Sequence, residues 1–134
     1  MIDSHCHLNF KNLKNNIDTI INNAIKNDIK SILSINTDPE EFYEHYNLIK
    51  DYKSIFISYG LHPENVSKNK NISKNLILEN TKNEKVIGIG ETGLDFYHSN
   101  EFIKEQYESF EAHIESSIET NLPLIIHQRN SENQ

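Results

Sequence analysis

Apolar residues along the chain follow two alternating periods. Ile2 to His7, Ser31 to Ile35, Ile55 to Tyr59, Val86 to Gly90 and Leu124 to His127 are short runs of the kind that form strands. Between them apolar positions recur at helical spacing. Leu13, Ile17, Ile20, Ile21 and Ala24 form one set, and Phe42, Tyr46 and Ile49 a second. A weaker set surrounds Leu76 to Leu78, and Ile103, Tyr107, Phe110, Ile114, Ser117 and Ile118 trace one face of a long helix. The second helix has a marked start at Thr37 to Glu41, with a capping residue, proline in the first turn and acids beside the positive dipole end. Five strands alternating with four helices predict βα units around a parallel sheet, an α/β fold without linker, low-complexity tract or further repeat.

Placing the polar residues on this frame brings out a rim. His5, His7, His62, Glu91 and His127 all fall at or just past the carboxyl end of an expected strand, the edge where parallel α/β folds put ligands and catalysis. In an extended first strand Asp3, His5 and His7 share one side, while Ser4 and Cys6 share the other. His45 and His113 fall on helices and His98 in a loop, and these three read as surface or partly packed residues.

Length and composition narrow the classes. A chain of 134 residues, 36% hydrophobic, supports one modest core, so residues 1–134 read as a single domain or part of one. No apolar run is long enough for a membrane span and no charged leader precedes one, so a cytoplasmic protein without membrane contact is expected. Cys6 is the single cysteine, which excludes an internal disulfide, and its parity makes it a packed thiol rather than a ligand. Thirteen basic residues against 20 acidic ones give a net charge of −7, which argues against a broad nucleic-acid footprint. A bound cation is still able to attract a phosphate locally.

The rim has donor types suited to a divalent metal: imidazoles of His5, His7 and His127 and the carboxylate of Glu91, from three separate strands. Glu91 has two oxygens and is able to bridge two cations, and the implied chemistry is hydrolysis by activated water. Each residue also has a plainer reading. A bare H-x-H near a terminus is more often ordinary polar sequence, and a lone Glu91 is more often a solvated loop carboxylate. Gly88, Gly90 and Gly93, three of four glycines, mark a backbone that turns, admits something close, or packs against a helix. Asp95 is either an outer partner of the site or a helix-entry residue. Arg129, the only arginine, shares parity with His127; its planar fork suits phosphate, and its alternative is a surface ion pair. His62, restricted by Pro63, reads as a substrate or outer group rather than a ligand.

The segments DSHCHL, YGLHP, GIGETGLDF and LPLIIHQR, in that order, resemble the motifs of the TatD-type metal-dependent deoxyribonucleases over positions 1 to about 129. The resemblance implies an amidohydrolase-like (β/α)8 TIM barrel, here about five strands and four helices of one. It implies metal ligation by His5, His7, Glu91 and His127 and two divalent ions such as zinc, magnesium or manganese; Glu91 is then the catalytic candidate, while His62 and Arg129 stay on the substrate side by their own chemistry. The implied activity is phosphodiester hydrolysis with DNA as substrate rather than stable partner. A complete barrel needs about 250 residues, and the family's further histidine and aspartate belong to later strands, so an N-terminal portion is expected. Its open sheet edges invite oligomers. An inactive chain kept for binding or assembly, and a hydrolase of an aminoacyl-tRNA ester, are the other classes these residues admit.

Overall fold

In a computed structural model, residues 1–67, 72–97 and 99–132 are described; His98 lies outside them. Five strands, β1 (Ile2–Cys6), β2 (Ser31–Ser34), β3 (Ile55–Tyr59), β4 (Val86–Asp95) and β5 (Leu124–Arg129), form one sheet in the order β1-β2-β3-β4-β5. All four neighbouring pairs are parallel, as expected for βα units whose connections cross over the sheet. The helices are α1 (Lys11–Lys14), α2 (Ile17–Lys26), α3 (Phe42–Ile49), α4 (Lys74–Asn80) and α5 (Ile103–Thr120). Together they make half of a barrel, with Ile32, Ile55, Ile57 and Ile89 of the sheet packed with Phe42, Ile49 and Ile77 of the helices. Among the described residues no helix is long and apolar enough to cross a membrane.

Three expectations change. The first helix is two, because the chain breaks at Asn15 and Asn16 after one turn, giving five α-helices rather than four among the described residues. The start at Asp38 is real: its side chain accepts from the Glu40 amide at 3.0 Å, yet the first turn is a 3₁₀ turn and α3 proper begins at Phe42. β4 continues five residues past Gly90, because Thr92 to Asp95 pair with Ile126 to Arg129 of β5. Glu91 therefore lies inside a strand.

The histidines on helices are buried, not at the surface: His45 is 1% exposed and His113 is 0%. Each has a polar partner that makes burial tolerable, Ser34 Oγ at 2.7 Å for His45 and the Leu61 amide for His113. Burial holds both rings well below the ordinary range, at about 4. A folded value below the ordinary 6.5 means that the stabilisation is full above pH 6.5 and drains away as pH falls toward 4. The shift corresponds to about 3 kcal/mol per residue at the acid end. Thermal unfolding followed between pH 7 and 4 is expected to show a falling Tm, with a flatter profile when either histidine is replaced by non-titrating glutamine.

Candidate metal centre

Two irregularities in strand pairing sit at the rim. β1 pairs Asp3 with Ile32 and then Cys6 with Ser34, so it carries one residue more than β2 over that stretch. β4 does the same against β5 between Ile89 and Thr92, around Glu91. Such bulges re-aim side chains at strand ends. Alternation therefore does not carry from Asp3 to His7. Burial, followed by the charge of Asp3, pushes the Cys6 thiol up to about 12, and its Sγ lies 3.7 Å from the Leu33 carbonyl, a packed thiol as expected.

β4 and β5 approach closely where the site needs them to. Gly90 and Gly93 have φ of +125° and +139°, and a Cβ on either would lie 2.4 Å from the Ile125 carbonyl oxygen or 2.1 Å from that of His127. Only glycine satisfies both demands.

His5, His7, Glu91 and His127 come together. Glu91 Oε2 lies 3.5 Å from His5 Nε2 and 3.8 Å from His7 Nε2, while Oε1 lies 3.3 Å from His127 Nδ1. Two donors on one tetrahedral zinc at its usual bond lengths are about 3.4 Å apart. Two candidate donor sets follow, His5, His7 and Glu91 in one, His62, Glu91 and His127 in the other, each with ligand atoms within 4.8 Å of one another. The carboxylate, 7% exposed, turns one oxygen to each set. Imidazole nitrogen and carboxylate oxygen at these separations fit a divalent transition metal.

Backbone partners settle which ring nitrogens carry protons. His7 Nδ1 is 3.2 Å from the Ile35 carbonyl, which only accepts, so Nδ1 donates and Nε2 keeps its lone pair toward Glu91. Burial holds the His7 pKa below the ordinary range, against the pull of Glu91, so the ring is neutral as ligation requires. His127 Nε2 is 2.9 Å from Asp95 Oδ2, so it donates there and leaves Nδ1 toward Glu91. Asp95 is thus the outer partner of His127, an arrangement that orients metal-binding imidazoles. Burial raises its pKa, but the Tyr97 amide and His127 outweigh that and hold it low.

His62 differs. The Glu64 amide donates to its Nδ1 at 3.2 Å, so Nε2 carries the proton and donates to His127 Nδ1 at 3.0 Å. Burial and then the charge of His127 keep the ring neutral. His62 therefore carries an N–H, not a lone pair, on Nε2, and directs it to His127 at the edge of a cleft of about 310 Å³ that it lines with His7, Phe10, Thr37, Glu91 and His127. Arg129 stands opposite Asp95 in the β4–β5 register and lies over the Tyr97 ring at 3.7 Å. Its fork is stacked at the strand end rather than inside the cleft.

Sequence reasoning missed Phe10, whose ring stacks on His7 at a centroid distance of 4.8 Å. It also missed the Ile35 carbonyl, and no sequence signal marks either.

The sequence profile of a family described as TatD related DNase matches residues 2–134. An uncharacterized metal-dependent hydrolase of Buchnera aphidicola is 40% identical over 99% of this chain and 51% of its own length. The uncharacterized metal-dependent hydrolase YcfH of Escherichia coli is 32% identical over 98% of this chain and 50% of its own. The chain thus spans about half the length of these curated relatives. The crystal structure of the Escherichia coli TatD homolog YjjV superposes with a TM-score of 0.88 at 24% identity, covering 98% of this chain and 51% of that one. That likeness supports the half-barrel fold described above.

Proposed function

This chain belongs to the TatD-related DNase family, and from that membership we propose that His5, His7, Glu91 and His127 hold two divalent ions for hydrolysis of DNA phosphodiester bonds. The observation that carries the reading is the division of Glu91, one carboxylate oxygen toward the His5 and His7 pair and the other toward His127. Zinc, magnesium and manganese are the candidates, and when bound such ions lower the pKa of water and polarise a phosphoryl oxygen.

The chain's own groups would do the rest. Ile35 and Asp95 hold His7 and His127 in the tautomers that present lone pairs. The His62 N–H, an uncharged donor that rests on His127 Nδ1, would turn to a phosphate oxygen or a departing alkoxide once that lone pair is taken by a cation. Arg129, fixed by its stacking on Tyr97, has the planar fork for a neighbouring phosphate. DNA is a substrate in this reading and not a lasting partner, consistent with the acidic surface.

Incubating the purified chain with a labelled single-stranded oligonucleotide, or with an aminoacyl ester, in magnesium, manganese or zinc tests the substrate class. Metal-dependent shortening of the oligonucleotide is expected, and His62→Phe should lower kcat by tenfold or more. Ester turnover without oligonucleotide cleavage, or no turnover of either by a chain that forms defined oligomers, would contradict the reading.

A further inference from the structure

The buried face of α5 is polar where a helix lying on a sheet is ordinarily apolar. Gln106, Ser109, His113 and Ser116 are its buried residues, each 6% exposed or less, while Ile118 on the expected apolar face is 77% exposed. Two of these polar side chains reach out of the helix to strand ends. Gln106 Oε1 accepts from the Asp95 amide at 2.8 Å, and its Nε2 donates to the Asp95 carbonyl at 3.0 Å. Seven residues on, His113 Nδ1 donates to the Ser109 carbonyl at 2.6 Å, so its Nε2 is free to accept from the Leu61 amide at 3.1 Å.

Apolar side chains would hold α5 on the sheet without the desolvation that four buried polar residues incur. What the polar ones add is direction. Asp95 is the residue whose carboxylate holds His127, and Leu61 immediately precedes His62. The next amide, that of His62, donates to the Thr37 carbonyl at 2.9 Å, so the main chain entering the His62 ring is pinned from two sides. The ring itself is then set by the Glu64 amide.

We propose that Gln106 and His113 are positioning residues for the rim: Gln106 fixes the β4 end from which Asp95 holds His127, and His113 fixes the main chain that aims the His62 N–H. Sites of this kind need their groups within about half an ångström of the productive geometry. The consequence for chemistry rests on the proposed metal site, but the placement of the rings does not, and it is measurable in the chain without added metal.

Ring ¹⁵N shifts and couplings of the histidines, read by NMR, decide. The wild-type chain is expected to show His113 protonated on Nδ1 and His62 on Nε2. In a folded His113→Leu chain, His62 should shift toward a mixture of both tautomers, and His113→Gln, whose amide oxygen reaches as far as Nε2, should restore the wild-type signature. In Gln106→Leu the His127 ring signals should move, while His62, bonded to His127 but still fixed by the Glu64 amide, should keep its Nε2-protonated form. His62 and His127 signatures unchanged in both leucine variants would overturn the assignment. If His113→Leu does not fold, coupling across the Leu61 N–H to His113 Nε2 bond in the wild-type chain decides instead: its detection supports the assignment and its absence overturns it.

Discussion

Replacing Glu91 by glutamine is expected to remove divalent-cation binding at both donor sets at once. The side chain keeps its size and its place in the bulge of β4, but it loses the charge and replaces one oxygen with an NH₂ group that repels a cation. Because Oε1 and Oε2 face different imidazoles, no other residue of the rim serves both sets. Calorimetric titration with Zn²⁺ or Mn²⁺ should show a loss of affinity well beyond the roughly hundredfold that removal of an outer partner causes. His127→Gln, in contrast, should abolish one binding event and leave the His5 and His7 set occupied. Unchanged titration curves in Glu91→Gln would dismiss the shared-ligand geometry.

Gly93→Ala is expected to have the largest effect on stability. The added Cβ lies 2.1 Å from the His127 carbonyl oxygen, a backbone atom that moves only if β5 moves, and the φ of +139° is strained for any side chain. Backbone strain and overpacking of about 1–3 kcal/mol each give a total of about 2–6 kcal/mol. Gly88→Ala is the control. Its Cβ would meet the Cδ1 of Ile125 at 2.9 Å, the flexible end of a side chain, so a loss of about 1 kcal/mol is expected from local repacking. Urea unfolding of the two variants separates the cases. A displaced His127 should also weaken metal binding in Gly93→Ala, while Gly88→Ala binds as the wild type does.

The rim was legible in the sequence because parallel strands bring their carboxyl ends together, so His5, His7, Glu91 and His127 could be grouped without knowing any distance. The end of β4 was not legible. Gly90, Thr92 and Gly93 look like loop by composition, and it is pairing with β5, more than thirty residues away, that makes them strand. The phase of α5 was misjudged for a related reason. Apolar periodicity pointed to Tyr107, Phe110 and Ile114, but the helix is rotated by about one residue so that Gln106 and His113 face inward to serve backbone amides. Hydrophobic patterning has no signal for a polar side chain buried to hold a main chain. The same blindness made His45 and His113 read as surface or partly packed rather than fully buried. Asp95 stayed ambiguous because its role depends on His127, whose proximity belongs to the sheet register. The expectation for His62 as a substrate or outer group turns on a contact the sequence does not contain: the amide of Glu64 occupies Nδ1, although the ring stands within one of the two donor sets.

Anomalous scattering from crystals grown with Zn²⁺ or Mn²⁺ addresses the proposed sharing of Glu91 between two ions directly. Two peaks are predicted, one on each side of Glu91, the first within coordination distance of His5 and His7 and the second of His127. Peaks that lie away from the Glu91 carboxylate, or one ion held by all the histidines with Glu91 turned aside, would contradict it.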